Sequence, residues 1–206
     1  MAEKRLTYPF FYSMLLYMKK LVLASNNKGK LNEIRAILCG KYDVLSLSDC
    51  GVSVDPEETG KTFEENALIK AKAVFDRVHM PVISDDSGLV VYSLDGEPGI
   101  YSARYAGDEH SDAANNAKLL KNLEGKTDRN AAFVCCAVYY DEKKTVSAEG
   151  RVEGKILFAP EGNGGFGYDP LFFSAELGKS FGVASFDEKN SVSHRARAFK
   201  QLSEKL

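Results

Sequence analysis

The chain lacks several features that would place it quickly. Its 206 residues carry 27 Lys and Arg against 29 Asp and Glu, a net charge of −2, so there is no global basic field to draw it onto nucleic acid or an anionic membrane surface. Any anion it binds must be held by a local site. The four cysteines, Cys39, Cys50, Cys135 and Cys136, show no CxxC spacing, and the last two, if in a strand, face opposite sides. Free thiols in a reducing cytosol are the reading. Histidine is scarce, with only His79, His110 and His194. No repeat, low-complexity tract or clear linker divides the chain, and 44% hydrophobic content is enough to bury a core of ordinary size.

No long uninterrupted apolar run is present either. The opening MAEKRLTYPFFYSMLLYMKK has a basic start and an apolar middle. That middle is broken by Pro9 and Ser13, has no small-residue cleavage site and falls short of a membrane span. Residues 1–17 are expected to be a poorly ordered extension, with one domain over 18–206 beginning near Met18.

What is present is a change of period from segment to segment. LVLAS (21–25) reads as a short buried strand, and Leu31, Ile34, Ile37 and Leu38 then recur at helical spacing up to Gly40. Thr62 with Glu65 forms a capping-box signature ahead of Phe63, Ala67, Ala71, Val74 and Val78 on one helix face. A strand pair flanking DDSG is expected next, then a helix from about Ser111 to Leu123, long strands at 131–140 and 145–156 joined by DEKK, and a last helix from about His194 with Ala196, Phe199 and Leu202 inward. This pattern predicts an α/β fold with a central mixed sheet flanked by helices.

Four stretches carry chemistry. The loop SNNKGK (Ser25, Asn26, Asn27, Lys28, Gly29, Lys30) lies between a strand and a helix start, where exposed amides and two lysines favour a phosphate; a capped turn with solvated lysines is the alternative. It is not a Walker loop, because Leu31 follows Lys30. In DPEETGKTFEENALIK, Asp55, Glu57 and Glu58 are hard oxygen donors suited to Mg²⁺ or Mn²⁺, or else a solvated acidic loop, and Asn66 and Lys70 share a helix face. In SDDSG, neighbours in a strand point opposite ways, so one of Asp85 and Asp86 can face a cleft while the other bonds a cation; an Asx-type turn bent at Gly88 is the competing reading. In SVSHRARAF, Ser193 is a candidate N-cap followed by His194 and Arg195, two cations that oppose the helix dipole. As donors they suit a 6-keto purine and reject a 6-amino one, unless they are simply surface residues.

Taken in order, SNNKGK, EETGKTFEENALIKA, SDDSGLVV, PGIYSARYAG, GGFGYDPLFF and SHRARA closely resemble the inosine/xanthosine triphosphate pyrophosphatase family. The resemblance covers Leu21 to about Leu202. It implies an elongated sheet with two lobes around an active-site cleft, and hydrolysis of ITP, dITP and XTP to monophosphate and pyrophosphate. It also implies Mg²⁺, with Mn²⁺ as a substitute, a cytoplasmic homodimer, and no nucleic-acid or membrane partner. Matched motif by motif, Glu57 and Asp86 would bind the metal and Asp86 would accept the proton. Ser25 to Lys30, Lys70, Ser87, Phe166, Gly167, Tyr168, Asp169, Lys189, His194 and Arg195 would hold the nucleotide, with Phe166 or Tyr168 stacking on the base. From the residues alone, a pyrophosphatase for other nucleotides and a non-hydrolysing nucleotide sensor stay open.

Overall fold

The computed structural model describes residues 18–107 and 110–206; the expected extension, 1–17, lies outside the described residues. In chain order the elements are β1 (Lys19–Leu23), α1 (Lys28–Ile37), β2 (Tyr42–Leu45), α2 (Phe63–Val78), β3 (Val82–Val91) and α3 (Asp112–Asn122). They continue with β4 (Asn130–Tyr140), β5 (Thr145–Ile156), β6 (Phe172–Ser174), β7 (Lys179–Ser180), α4 (Phe186–Val192) and α5 (His194–Glu204). Among the described residues the strands form one seven-stranded sheet, ordered β2-β1-β3-β4-β5-β6-β7. β1 is parallel to both β2 and β3, and every later pairing is antiparallel, so the sheet is mixed as the alternation of elements predicts.

Strand parity sorts the core. Leu21, Leu23, Ile83, Cys135, Ala137 and Tyr139 pack with Ile34 of α1 and with Phe199 and Leu202 of α5. Val22, Val82, Cys136 and Val138 point through the sheet to Ala67, Ala71 and Val74 of α2. Cys135 and Cys136 therefore sit on opposite faces, as expected of adjacent strand residues. A further cluster fills the far half of the sheet, with Leu89, Phe133, Val152, Phe172 and Phe181 packed on Leu119 and Leu123.

Two local readings change. The Thr62 hydroxyl accepts from the Glu65 amide at 3.1 Å, but the Glu65 carboxylate takes the Lys61 amide at 2.6 Å, so the reciprocal half of the expected box lands one residue early. More consequentially, DDSG does not separate two strands. β3 runs through it, and Asp85, Asp86, Ser87 and Gly88 pair in unbroken register with Ala137, Cys136, Cys135 and Val134 of β4.

What makes this stretch special is its other edge. β1 stops beside Ile83, where the Ala24 amide still reaches the Ile83 carbonyl, while β3 continues to Val91. Further along, the Leu89 amide is covered by Ser102 Oγ at 2.9 Å, from a 3₁₀ segment at Gly99–Arg104. Between these two covers no described strand pairs with this edge of β3 at Asp85 to Ser87, beyond the carboxyl end of a parallel strand, where α/β sheets place their ligands. Gly88 permits the close approach of the 3₁₀ segment rather than a bend: a Cβ there would lie 2.3 Å from Gly99 O and 2.4 Å from Ser102 Oγ. Gly88→Ala should lower unfolding free energy by about 2 kcal/mol or more through overpacking, read from urea midpoints; an unchanged midpoint would show that the segment shifts freely.

Candidate active site

The site is assembled from α1, α2, β3, the loop before β6, and the α4–α5 junction. Asn27 starts α1, its Oδ1 accepting from the Lys30 amide at 3.1 Å, while the Asn27 amide is tied to Ser25 Oγ at 3.2 Å. This leaves the first amides of the helix directed away from its body, as an anion requires. One turn into α1, Lys30 lies 3.0 Å from the carboxylate of Asp85.

On the α2 face of the sheet, Asp86 meets the helix face that carries Asn66 and Lys70. Lys70 Nζ is 3.1 Å from Asp86 Oδ1 and 2.7 Å from Glu58, and Asn66 Nδ2 donates to Asp86 Oδ2 at 3.3 Å. Asn66 is in turn fixed by accepting from the Gly60 amide at 2.8 Å. Arg104 closes this side, 3.6 Å from Glu58.

On the opposite face a largely buried network radiates from Arg195. Its Nε donates to Asp85 at 3.2 Å, one terminal nitrogen to Ser87 Oγ at 2.8 Å, and the other to Glu33 of α1. Glu33 also pairs with Lys189 at 2.9 Å, and Lys189 with Asp169 at 2.5 Å. Asp169 then accepts from the Phe166 amide at 2.8 Å. Buried charges persist only when paired in this way.

Burial acts on both aspartates, but their neighbours drive them apart. For Asp85 the desolvation that favours the acid is outweighed by Lys30, Arg195 and Lys70, which hold it well below the usual carboxylate range. Burial raises the proton affinity of Asp86 above its ordinary value despite Lys70 and Lys30, with Glu58 adding to the rise. One is a fixed anion, the other a carboxylate able to take a proton, which is the division that acid–base sites use. His194 stacks on Phe133, with ring centroids 4.8 Å apart, and its buried Nδ1 has no partner among the described residues. Burial, with Arg195 and Lys189 beside it, holds its imidazole far below 6.5 and therefore neutral.

These groups surround a cavity of about 310 Å³ whose wall includes Ser25, Asn26, Lys30, Glu58, Lys70, Asp86, Ser87, Phe166, Lys189, His194 and Arg195. A sequence model described as the Ham1 family matches residues 21–205. The chain belongs to the Ham1 family. A Bacillus licheniformis protein named dITP/XTP pyrophosphatase is 50% identical over 190 residues, covering 90% of this chain and 97% of that one. A Geobacter sulfurreducens protein of the same name is 50% identical over 193 residues, with 92% and 97% covered. Among solved structures, the Staphylococcus aureus Ham1 protein superposes with a TM-score of 0.81 at 45% identity, covering 90% of this chain and 97% of that one. A HAM1 protein from Coxiella burnetii gives 0.82 at 37%, with 91% and 98% covered.

In this Ham1-family chain most of the residues expected from sequence converge. Asn27, Gly167, Tyr168 and Asp169 also line the cavity, whereas Lys28, Gly29 and Glu57 do not. Lys28 is exposed at the helix start. Gly29 lies behind Phe166, where a Cβ would come within 2.8 Å of the ring. Glu57 is exposed, and Glu58 is the acidic-loop residue next to Lys70 and Asp86. Tyr168 is buried with its hydroxyl donating to Ser102 O at 2.8 Å, so of the two stacking candidates Phe166 is the less buried. Glu33 escaped the sequence reading, although its spacing of three from Lys30 puts it on the inner face of α1.

Among the described residues no group of three or more His, Cys, Asp or Glu is arranged to hold a metal unaided. The donor set nonetheless fits a hard divalent cation. Glu58 and Asp86 bracket a single ammonium at the cavity, and Mg²⁺ takes few carboxylates and completes its shell with water and phosphate.

The neutral imidazole gives a stability signature. An unfolded histidine gains its proton near 6.5 whereas the folded one does not, so the unfolded state binds more protons as pH falls through that value. Stability should decline below about pH 6.5 by up to roughly 1.4 kcal/mol per pH unit, and His194→Gln should flatten that decline in urea titrations between about pH 7.5 and 5.5. Equal slopes in both proteins would mean that His194 is protonated in the fold.

Proposed function

We propose that this chain hydrolyses the triphosphates of deaminated purines, dITP, ITP and XTP, to the monophosphate and pyrophosphate. The observation that carries the reading is Asp86, a buried carboxylate with raised proton affinity, at the wall of a cavity that also presents helix amides and lysines, in a chain half identical to proteins named dITP/XTP pyrophosphatase. The triphosphate would lie toward the amino end of α1, Lys30 and Lys70, where positioning and charge neutralisation do most of what phosphoryl chemistry needs. Asp86 would accept the proton of the water that attacks the α-phosphate.

The base would rest against Phe166. His194, neutral and at the cavity wall, would also contact it. Of the five N–H groups of Arg195, only some are used by Asp85, Glu33 and Ser87, so donors remain for a 6-keto oxygen. Mg²⁺, with Mn²⁺ in its place, would neutralise phosphate charge, held by Asp86 and an acidic-loop carboxylate; the position of Glu58 favours it over Glu57. The cavity walls would be the facing sides of two lobes in a single domain over 18–206. A cytoplasmic homodimer without nucleic-acid or membrane partners completes the reading, and none of the described helices is long and apolar enough to cross a membrane.

The deciding assay is pyrophosphate release from ITP, XTP, dITP, GTP, ATP and dTTP with Mg²⁺, and release no faster from the deaminated purines than from ATP would sink the reading. Asp86→Asn should lower kcat about a thousandfold, at the scale expected for loss of a general base, while a titration still shows nucleotide binding. Asp85→Asn should chiefly cost stability, about 3 kcal/mol or more, because Arg195 and Lys30 lose a buried counter-charge. The reverse pattern would exchange the two roles. Glu58→Gln should require more Mg²⁺ for half-maximal rate than Glu57→Gln; a shift in the Glu57 variant alone returns the ligand to that residue.

A further inference from the structure

Phe166 lies in a glycine-rich loop, 161–167, yet the backbone on both sides of it is held. Its own amide donates to Asp169, which Lys189 fixes from below. The next residue, Gly167, is gripped at both ends by α3: its amide donates to Asp112 Oδ2 at 2.7 Å, and its carbonyl accepts from Asn116 Nδ2 at 3.0 Å. Asp112 and Asn116 are four apart, so one helix face supplies both bonds. The ring they present packs against Gly29 of α1 and lies 4.6 Å below the Lys189 ammonium and 5.6 Å from the Arg195 guanidinium.

None of this is needed to build α3. Ser111 caps that helix through the Ala114 amide, and Asn115 ties it to the chain at Ala103 and Ala106. Asp112 is exposed at its first turn and lines the cavity with its carboxylate spent on Gly167. A carboxylate on a cavity that receives a triphosphate is unfavourable by charge, which makes a bond to the loop the more telling use of it.

We propose that Asp112 and Asn116 are positioning residues that clamp Gly167 and so fix the Phe166 ring where it meets the purine base. The inference rests on the nucleotide reading above and deepens it: α3, which supplies none of the substrate-binding side chains expected from sequence, sets base affinity through an aromatic on another segment. The clamp acts on binding of the base and leaves the chemistry at phosphorus to Asp86.

Two measurements test it on the full-length protein. In steady-state pyrophosphate release from ITP, Asp112→Ala should raise KM about five- to tenfold with kcat within about twofold, and Asp112→Asn, which keeps an acceptor oxygen, should recover most of the loss. In a Phe166→Ala background, Asp112→Ala should add less than about twofold, because residues that act through one group are not additive. Hydrogen exchange supplies a readout that needs no substrate: Asp112→Ala should speed exchange of the Gly167 amide while the α3 amides beyond its first turn keep their protection. Faster exchange in a protein that releases no pyrophosphate leaves the clamp standing and the hydrolytic reading fallen. Pyrophosphate release with unmoved KM and exchange leaves the hydrolytic reading standing and overturns the clamp, as does a full KM effect in the Phe166→Ala background.

Discussion

The burial of Arg195 is the constraint on which the rest of the molecule is arranged. An arginine with 1% of its surface exposed must have its guanidinium surrounded by acceptors, and these come from elements far apart in sequence: Glu33 in α1, and Asp85 and Ser87 in β3. Through Glu33 the same network holds Lys189 of α4, and through Lys189 it fixes Asp169 and the backbone of Phe166. Such networks add little net stability over apolar packing, since desolvation offsets most of the attraction, but losing one member is costly. Their effect here is on geometry: α1, β3, α4, α5 and the aromatic loop can be brought together in few ways that leave no charge unpaired.

The paired aspartates follow from this. β3 sends Asp85 into the Arg195 network on the face shared by α1 and α5, and Asp86 to Asn66 and Lys70 on the α2 face. In the middle of a fully paired sheet the two would report to separate environments. Because β1 ends beside Ile83 and Ser102 covers the edge only from Leu89 onward, groups from both faces reach one cavity around that edge.

Sequence carried much of this fold where a period was long enough to be read. The long antiparallel strands on either side of DEKK, the face of α2 and the start of α5 at Ser193 are where spacing and capping place them. It failed where the signal is tertiary or short. β6 and β7 span three and two residues, too few to show alternation, and α4 is announced only by the Ser185–Glu188 capping box. DDSG looked like a turn because turn residues and strand-edge residues are chemically alike; what keeps it in the strand is pairing with β4, more than forty residues later. In the site, residue identities were legible but partners were not. Lys30 faces Asp85 and Glu33 faces Arg195 only because α1 packs beside α5 next to β3, and helix spacing alone gives no hint of what lies opposite.

The placement of Glu33 inside α1 also bears on where the chain can change length. Each residue advances an α-helix by about 100°, so an insertion between Lys30 and Glu33 would turn that carboxylate away from Lys189 and Arg195 while the start of the helix stayed on the cavity. Beyond Leu38, where the helix ends and the chain turns through Gly40 toward β2, extra residues alter a surface loop and leave every buried pair in place. The segment between the first strand and that turn is therefore fixed in register as well as in composition, and length variation is expected to collect at Gly40 and not in the ten residues of α1.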